Sequence, residues 1–124
     1  HAHFLERADD ARLKAIVEGP MAEYSAAGVE AARKPPDPTA YKGYDRRESA
    51  QKGLGFEVYY PGRVLMGGPG QALARIAELE AAGITQAAMI VDFGSLAQAE
   101  IMRSLEIFGR EVLPRVKGRD SSAK

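Results

Sequence analysis

Two short apolar runs, each followed by a glycine turn and then an amphipathic stretch, occupy residues 63–115 and constrain the fold more than any other feature. The first run is Val64-Leu65-Met66, bounded by Gly62 and by Gly67-Gly68-Pro69. The second is Ala87-Ala88-Met89-Ile90-Val91, which has no polar residue and runs into Asp92-Phe93-Gly94. A short apolar run without alternation reads as a strand buried on both faces. Residues 70–82 read as a helix, with Ala72, Ile76, Leu79 and Gly83 on one side and Leu73 adjacent. Pro69 suits its first turn, and Gly83 suits a left-handed stop. Residues 97–113 read as a second helix, with Ile101, Leu105, Phe108 and Val112 as its core stripe and Pro114 at its end. Two successive strand–helix units place their strands parallel, because each helix returns the chain to the same end of the sheet. Function in such architectures sits on the turns that follow the strands.

Upstream, residues 3–5 read as the end of a further strand. Asp9 or Asp10 then starts a helix by accepting hydrogen bonds from backbone amides near positions 12 and 13. That helix is expected to reach residue 27, with Leu13, Ile16, Val17 and Tyr24 on one face, a kink at Pro20 and a stop at Gly28. Residues 29–62 break the pattern with Lys34-Pro35-Pro36-Asp37-Pro38, five further glycines and prolines, and tyrosines set among charges. A short helix is expected over residues 45–52. A structureless loop of that length is unusual inside a compact domain, so residues 29–62 are expected to form an ordered excursion, a lid or an interface. Residues 117–124 are polar and are expected to form a disordered tail.

A chain of 124 residues holds one domain with one core. Its 17 basic residues equal its 17 acidic ones, so no nucleic acid or anionic membrane surface is expected as partner. There is no cysteine, hence no disulfide and no thiolate chemistry. With no apolar run of membrane-spanning length, a cytoplasmic protein is expected. His1 and His3 alternate along a strand and share a face, but no third ligand accompanies them, so no metal is expected. Gly67-Gly68-Pro69-Gly70 opens a helix and offers amides to an anion, without the lysine of a phosphate-binding loop or the spacing of a dinucleotide site. Asp92 offers an acceptor or base and Ser95 a donor, with no histidine nearby in sequence to build a triad. Two or three strand–helix units are too few to cover a parallel sheet, so the chain is expected to be a homo-oligomer or part of a longer protein.

The order Gly67-Gly68-Pro69, Arg75-Ile76-Ala77-Glu78-Leu79, Ala81-Ala82-Gly83-Ile84, Val91-Asp92-Phe93-Gly94 and Met102-Arg103-Ser104-Leu105-Glu106-Ile107-Phe108, closed by Val112-Leu113-Pro114, resembles the C-terminal end of the bacterial-luciferase-like flavin-dependent monooxygenases. Asp9-Asp10-Ala11-Arg12 with Glu18-Gly19-Pro20 and Tyr24 resembles the acidic helix that precedes that region in the family. The resemblance implies an α/β chain that is part of a (β/α)8 TIM barrel: its last two to three β-α units, with parallel strands, over residues 1–116. A whole barrel needs roughly 250 residues. It further implies FMN or a deazaflavin at the C-terminal ends of the strands, and an oxidoreductase that uses reduced flavin and oxygen on a small organic substrate. Gly67, Gly68, Asp92, Phe93 and Gly94 would line that mouth, residues 34–62 would cover it, and no catalytic residue carries over. Gly68 stands where the family usually has a hydroxyl, and Gly70 where it has an acid. The alternative is a non-catalytic α/β structural or interaction fragment that self-associates.

Overall fold

The computed structural model describes residues 1–33 and 55–120. The chain is mixed α/β and mostly helical, around a two-stranded parallel sheet. Strand β1 is Ala2–Phe4, helix α1 is Asp10–Arg33, α2 is Phe56–Tyr59, β2 is Leu65–Gly67, α3 is Pro69–Ala81, α4 is Gln98–Ile107, and α5 is Leu113–Asp120. A π-helical turn, Phe108–Val112, joins α4 to α5. The strands pair with Ala2 opposite Leu65, His3 opposite Met66 and Phe4 opposite Gly67.

Alternation along β1 divides the core. Leu5 joins Val64 and Met66 on one face, where α1 supplies Leu13, Val17 and Met21 and α2 supplies Phe56 and Tyr59. Ala2 and Phe4 lie on the other face with Ala72 of α3, Ile107 and Val112. Helices α1 and α3 therefore cover opposite faces of the sheet, as in an open α/β layer; in a closed barrel they would share the outer face.

The same alternation sends the amides of Ala2 and Phe4 away from β2. Ala2 donates to the Ile90 carbonyl (3.0 Å) and Phe4 donates to the Ser104 hydroxyl of α4 (2.8 Å). Helix α4 thus closes the outer edge of β1, where another strand would otherwise pair. Residues 87–91, expected as a strand buried on both faces, are not a strand, and Ala87, Ala88 and Ile90 are exposed. Two alanines in a row offer little side-chain area to hold a strand in place, and Ser104 already occupies the edge they would extend along.

Other expectations meet specific corrections. Helix α1 passes through Gly28 to Arg33. The expected helix at residues 45–52 lies outside the described residues. Phe56 and Tyr59 are core side chains, so the end of the excursion is part of the fold; residues 34–54 lie outside the described residues. The last helix does not end at Pro114 but runs on to Asp120, four residues into the expected disordered tail; residues 121–124 lie outside the described residues. The π-turn makes this possible. Leu113 donates to the Phe108 carbonyl, and Pro114 then falls in the first turn of a new helical segment, where its missing amide costs nothing.

Candidate ligand site at the strand ends

Strand β2 runs out through Gly67, whose φ of 120° no L side chain adopts easily, into Gly68, the N-cap of α3. The Gly68 amide donates to the side-chain oxygen of Gln71 (2.9 Å), so the first free amide of the helix is satisfied from within. The turn fits closely against the loop after β1: a Cβ on Gly68 would lie 2.5 Å from the Ala8 nitrogen, and one on Gly67 would lie 2.4 Å from the Gln71 side-chain oxygen. The close approach that these glycines permit is used by the chain itself, by backbone at Gly68 and by the Gln71 side chain at Gly67.

The amide nitrogen of Gln71 reaches outward. It donates to the Tyr60 hydroxyl (2.8 Å) and to Asp10 Oδ1 (3.3 Å), while the Tyr60 hydroxyl donates to the same Asp10 oxygen (2.7 Å). Asp10 is available because its neighbour Asp9 caps α1, accepting from the Arg12 amide (2.9 Å). Burial pushes the Tyr60 phenol up to about 12, and the bond to Asp10 acts in the same direction, so Tyr60 is a neutral donor across the physiological range. Phe56 stacks on the Tyr60 ring at 4.7 Å and holds it in place. This triad lines a cavity of about 480 Å³ together with the apolar Pro61, Val64 and Met66 and the charged Arg75 and Glu78.

The other expected site residues lie elsewhere. Phe93 is buried and meets the His1 ring edge-on at 5.3 Å. Gly94, at φ 58°, presses on the Pro20 carbonyl of α1. Asp92 is exposed, and Ser95 donates to Glu23 of α1 (2.9 Å). Gly68 abuts Ala8, just ahead of α1, and from Asp10 to Pro20 that helix rises roughly 15 Å. Gly67 and Gly68 do not line the cavity and touch its wall only through Gln71, whereas Asp92, Phe93 and Gly94 gather far down α1. The network of Asp10, Tyr60 and Gln71 was not read from the sequence. Its one signal was glutamine three residues after the N-cap, the spacing of a capping box.

His1 and His3 do share a face. His3 is 1% exposed, its Nε2 lies 3.9 Å from a Glu100 carboxylate oxygen, and among the described residues neither ring nitrogen has a hydrogen-bond partner. Burial lowers the His3 pKa from 6.5, against an opposing pull from Glu100. The unfolded chain then takes up a proton that the native state refuses. Stability is full above pH 6.5 and falls as the pH drops through 6.5 towards the lower native value, levelling off below both. Urea midpoints at pH 7.5 and 5.5 are expected to show this fall in the native chain and much less of it in His3→Leu; equal slopes would remove His3 as its source.

Among the described residues no helix is long and apolar enough to cross a membrane. Compared with known proteins, the chain matches no family model, no curated protein and no solved structure.

Proposed function

We propose that this chain is the C-terminal portion of a luciferase-like flavin-dependent monooxygenase or oxidoreductase acting on a small organic substrate, with FMN or a deazaflavin at the strand ends. The observation that supports it most is the parallel pair β1–β2, whose second strand delivers Gly67-Gly68-Pro69 into α3, with a cavity that runs alongside β2 and reaches its C-terminal end at Met66 and Gln71. That is the end at which parallel α/β proteins place ligands. In this reading the open layer is the form taken by the last third of a TIM barrel whose inner face is covered by its own helices. Residues 87–91 would become a strand, and Asp92, Phe93 and Gly94 would reach the mouth, when the remaining strands are supplied.

The cavity suits a flat ring with a polar edge. Its volume of about 480 Å³ lies within the range of cofactor pockets, and it combines an apolar lining with the Tyr60–Gln71–Asp10 triad. The Gly67-Gly68 turn does not suit a phosphate, because Arg7 and Ala8 fill the space beside it. When bound, a flavin supplies the redox chemistry. The chain supplies position: Val64 and Met66 exclude water from one side, and Tyr60 offers a hydroxyl held by Gln71 and Asp10.

A second reading, a non-catalytic fragment that self-associates, is favoured by one observation. Residues 84–91 carry no charge, and Ile84 and Ile90 are 43% and 42% exposed. One titration separates the two. Saturable quenching of FMN fluorescence by the purified chain, weakened about tenfold or more by Tyr60→Ala through loss of a wall side chain, is the expected result. No quenching, together with size-exclusion elution that moves with concentration, would leave the second reading standing.

A further inference from the structure

Next to the cavity of about 480 Å³, towards the N-terminal ends of the strands, lies a smaller one of about 160 Å³; it shares Val64 and Arg75 with the first and adds His1, Arg63 and the aliphatic side chains of Leu65, Leu79 and Met89. Three of these side chains are basic or protonatable, and none is acidic. Arg75 is fixed in place: one guanidinium nitrogen pairs with Glu78 at 2.6 Å and another donates to the Gly62 carbonyl. Its charge is thus partly matched, and Arg63 brings a second guanidinium to the lining. His1 Nε2 is buried and has no hydrogen-bond partner among the described residues, although such an atom is costly to leave unpaired. The rest of the lining is aliphatic.

We infer that this cavity binds the anion of a short-chain carboxylic acid. The carboxylate would take charge-assisted hydrogen bonds from Arg63 and Arg75, the fork geometry for which arginine is suited. The short alkyl chain would lie against Leu65, Leu79 and Met89. The volume matches a small ligand better than a nucleotide or flavin, whose pockets are about 300 Å³ or larger, and the apolar lining disfavours a bare inorganic anion. The two cavities adjoin, sharing Val64 and Arg75, and this site uses residues 87–89 as they stand in the structure, not as the strand of the flavin reading.

The test is calorimetric titration of the full chain with sodium butyrate, n-butanol, n-butylammonium chloride and sodium phosphate at constant ionic strength. Saturable butyrate binding is expected, with no saturable binding of the alcohol or the amine. Arg63 is exposed, so Arg63→Gln is expected to keep its fold by circular dichroism and to weaken butyrate about tenfold or more, the loss of one charged hydrogen bond. Ala88→Glu, also at an exposed position, places a like charge in the lining and is expected to abolish binding. Absence of butyrate binding, binding untouched by either substitution, or phosphate binding as tight as butyrate would each overturn the proposal.

Discussion

Gly94→Ala is expected to destabilise the chain by about 3–5 kcal/mol, enough to leave much of it unfolded at 37 °C. Two penalties act together. Gly94 has φ 58°, a conformation that strains any L side chain. Its missing Cβ would also stand 2.1 Å from the Pro20 carbonyl oxygen and 2.7 Å from two more backbone atoms of the same residue. The obstacle is helix backbone, which cannot swing aside as a side chain could. Pro20 itself lacks an amide, so the helix is already short of one hydrogen bond there. Gly83→Ala is the control. Its φ of 84° carries similar strain, yet no atom lies within 4 Å of the added methyl, so about 1 kcal/mol is expected. Urea denaturation of the two variants separates strain from collision. Equal losses would show that Gly94 is not packed on α1.

Gly83 and Gly94 also mark the line between what local pattern reveals and what it conceals. That Gly83 ends a helix in the left-handed region follows from its place after an apolar stripe, and the structure has it there. That Gly94 meets Pro20 depends on a contact across 74 positions, which no local window contains. The strand at Leu65–Gly67 and the helix Pro69–Ala81 were legible because an apolar run, a proline and a glycine punctuate them; the pairing was not, since residues 87–91 were expected beside that strand and Ala2–Phe4 stands there instead. The core stripe of α4 was only half legible. Ile101 and Val112 are buried as expected, but Leu105 is 36% exposed and Ser104 is buried in its stead. The reason is a backbone need. The amide of Phe4 faces away from β2 and requires an acceptor, and the Ser104 hydroxyl is that acceptor. Hydropathy ranks serine as surface and cannot register such a debt. The site was hidden in the same way. Asp10 and Tyr60 meet from 50 positions apart, and each had an ordinary local reading, as a helix start and as a loop aromatic.

Phe4→Ala is expected to cost about 3–5 kcal/mol, the usual range for removing a buried phenyl ring. Phe4 is 1% exposed and stands at the centre of the face shared with Ala2, Ala72, Ile107 and Val112. Its ring stacks on Phe108 at 4.9 Å with 29° between planes. The cavity left behind could not collapse easily, because the backbone around it is pinned on both sides: β1 to β2 by the parallel ladder, and the Phe4 amide to Ser104 by a buried bond. Incomplete collapse is what moves such substitutions to the upper part of the range. Val58, 48% exposed, provides the contrast; Val58→Ala is expected to change stability by no more than about 0.5 kcal/mol. A double-mutant cycle with Phe108→Ala sharpens the test. If the stacked pair contributes beyond its buried area, the two losses will fall short of additivity by about 0.5–1.5 kcal/mol. Strict additivity would mean that Phe108, at the start of the π-turn, does not depend on β1. The continuity from the sheet through α4 into α5 would then rest on the Ser104 bond to Phe4 and on Ile107, Val112 and Val116.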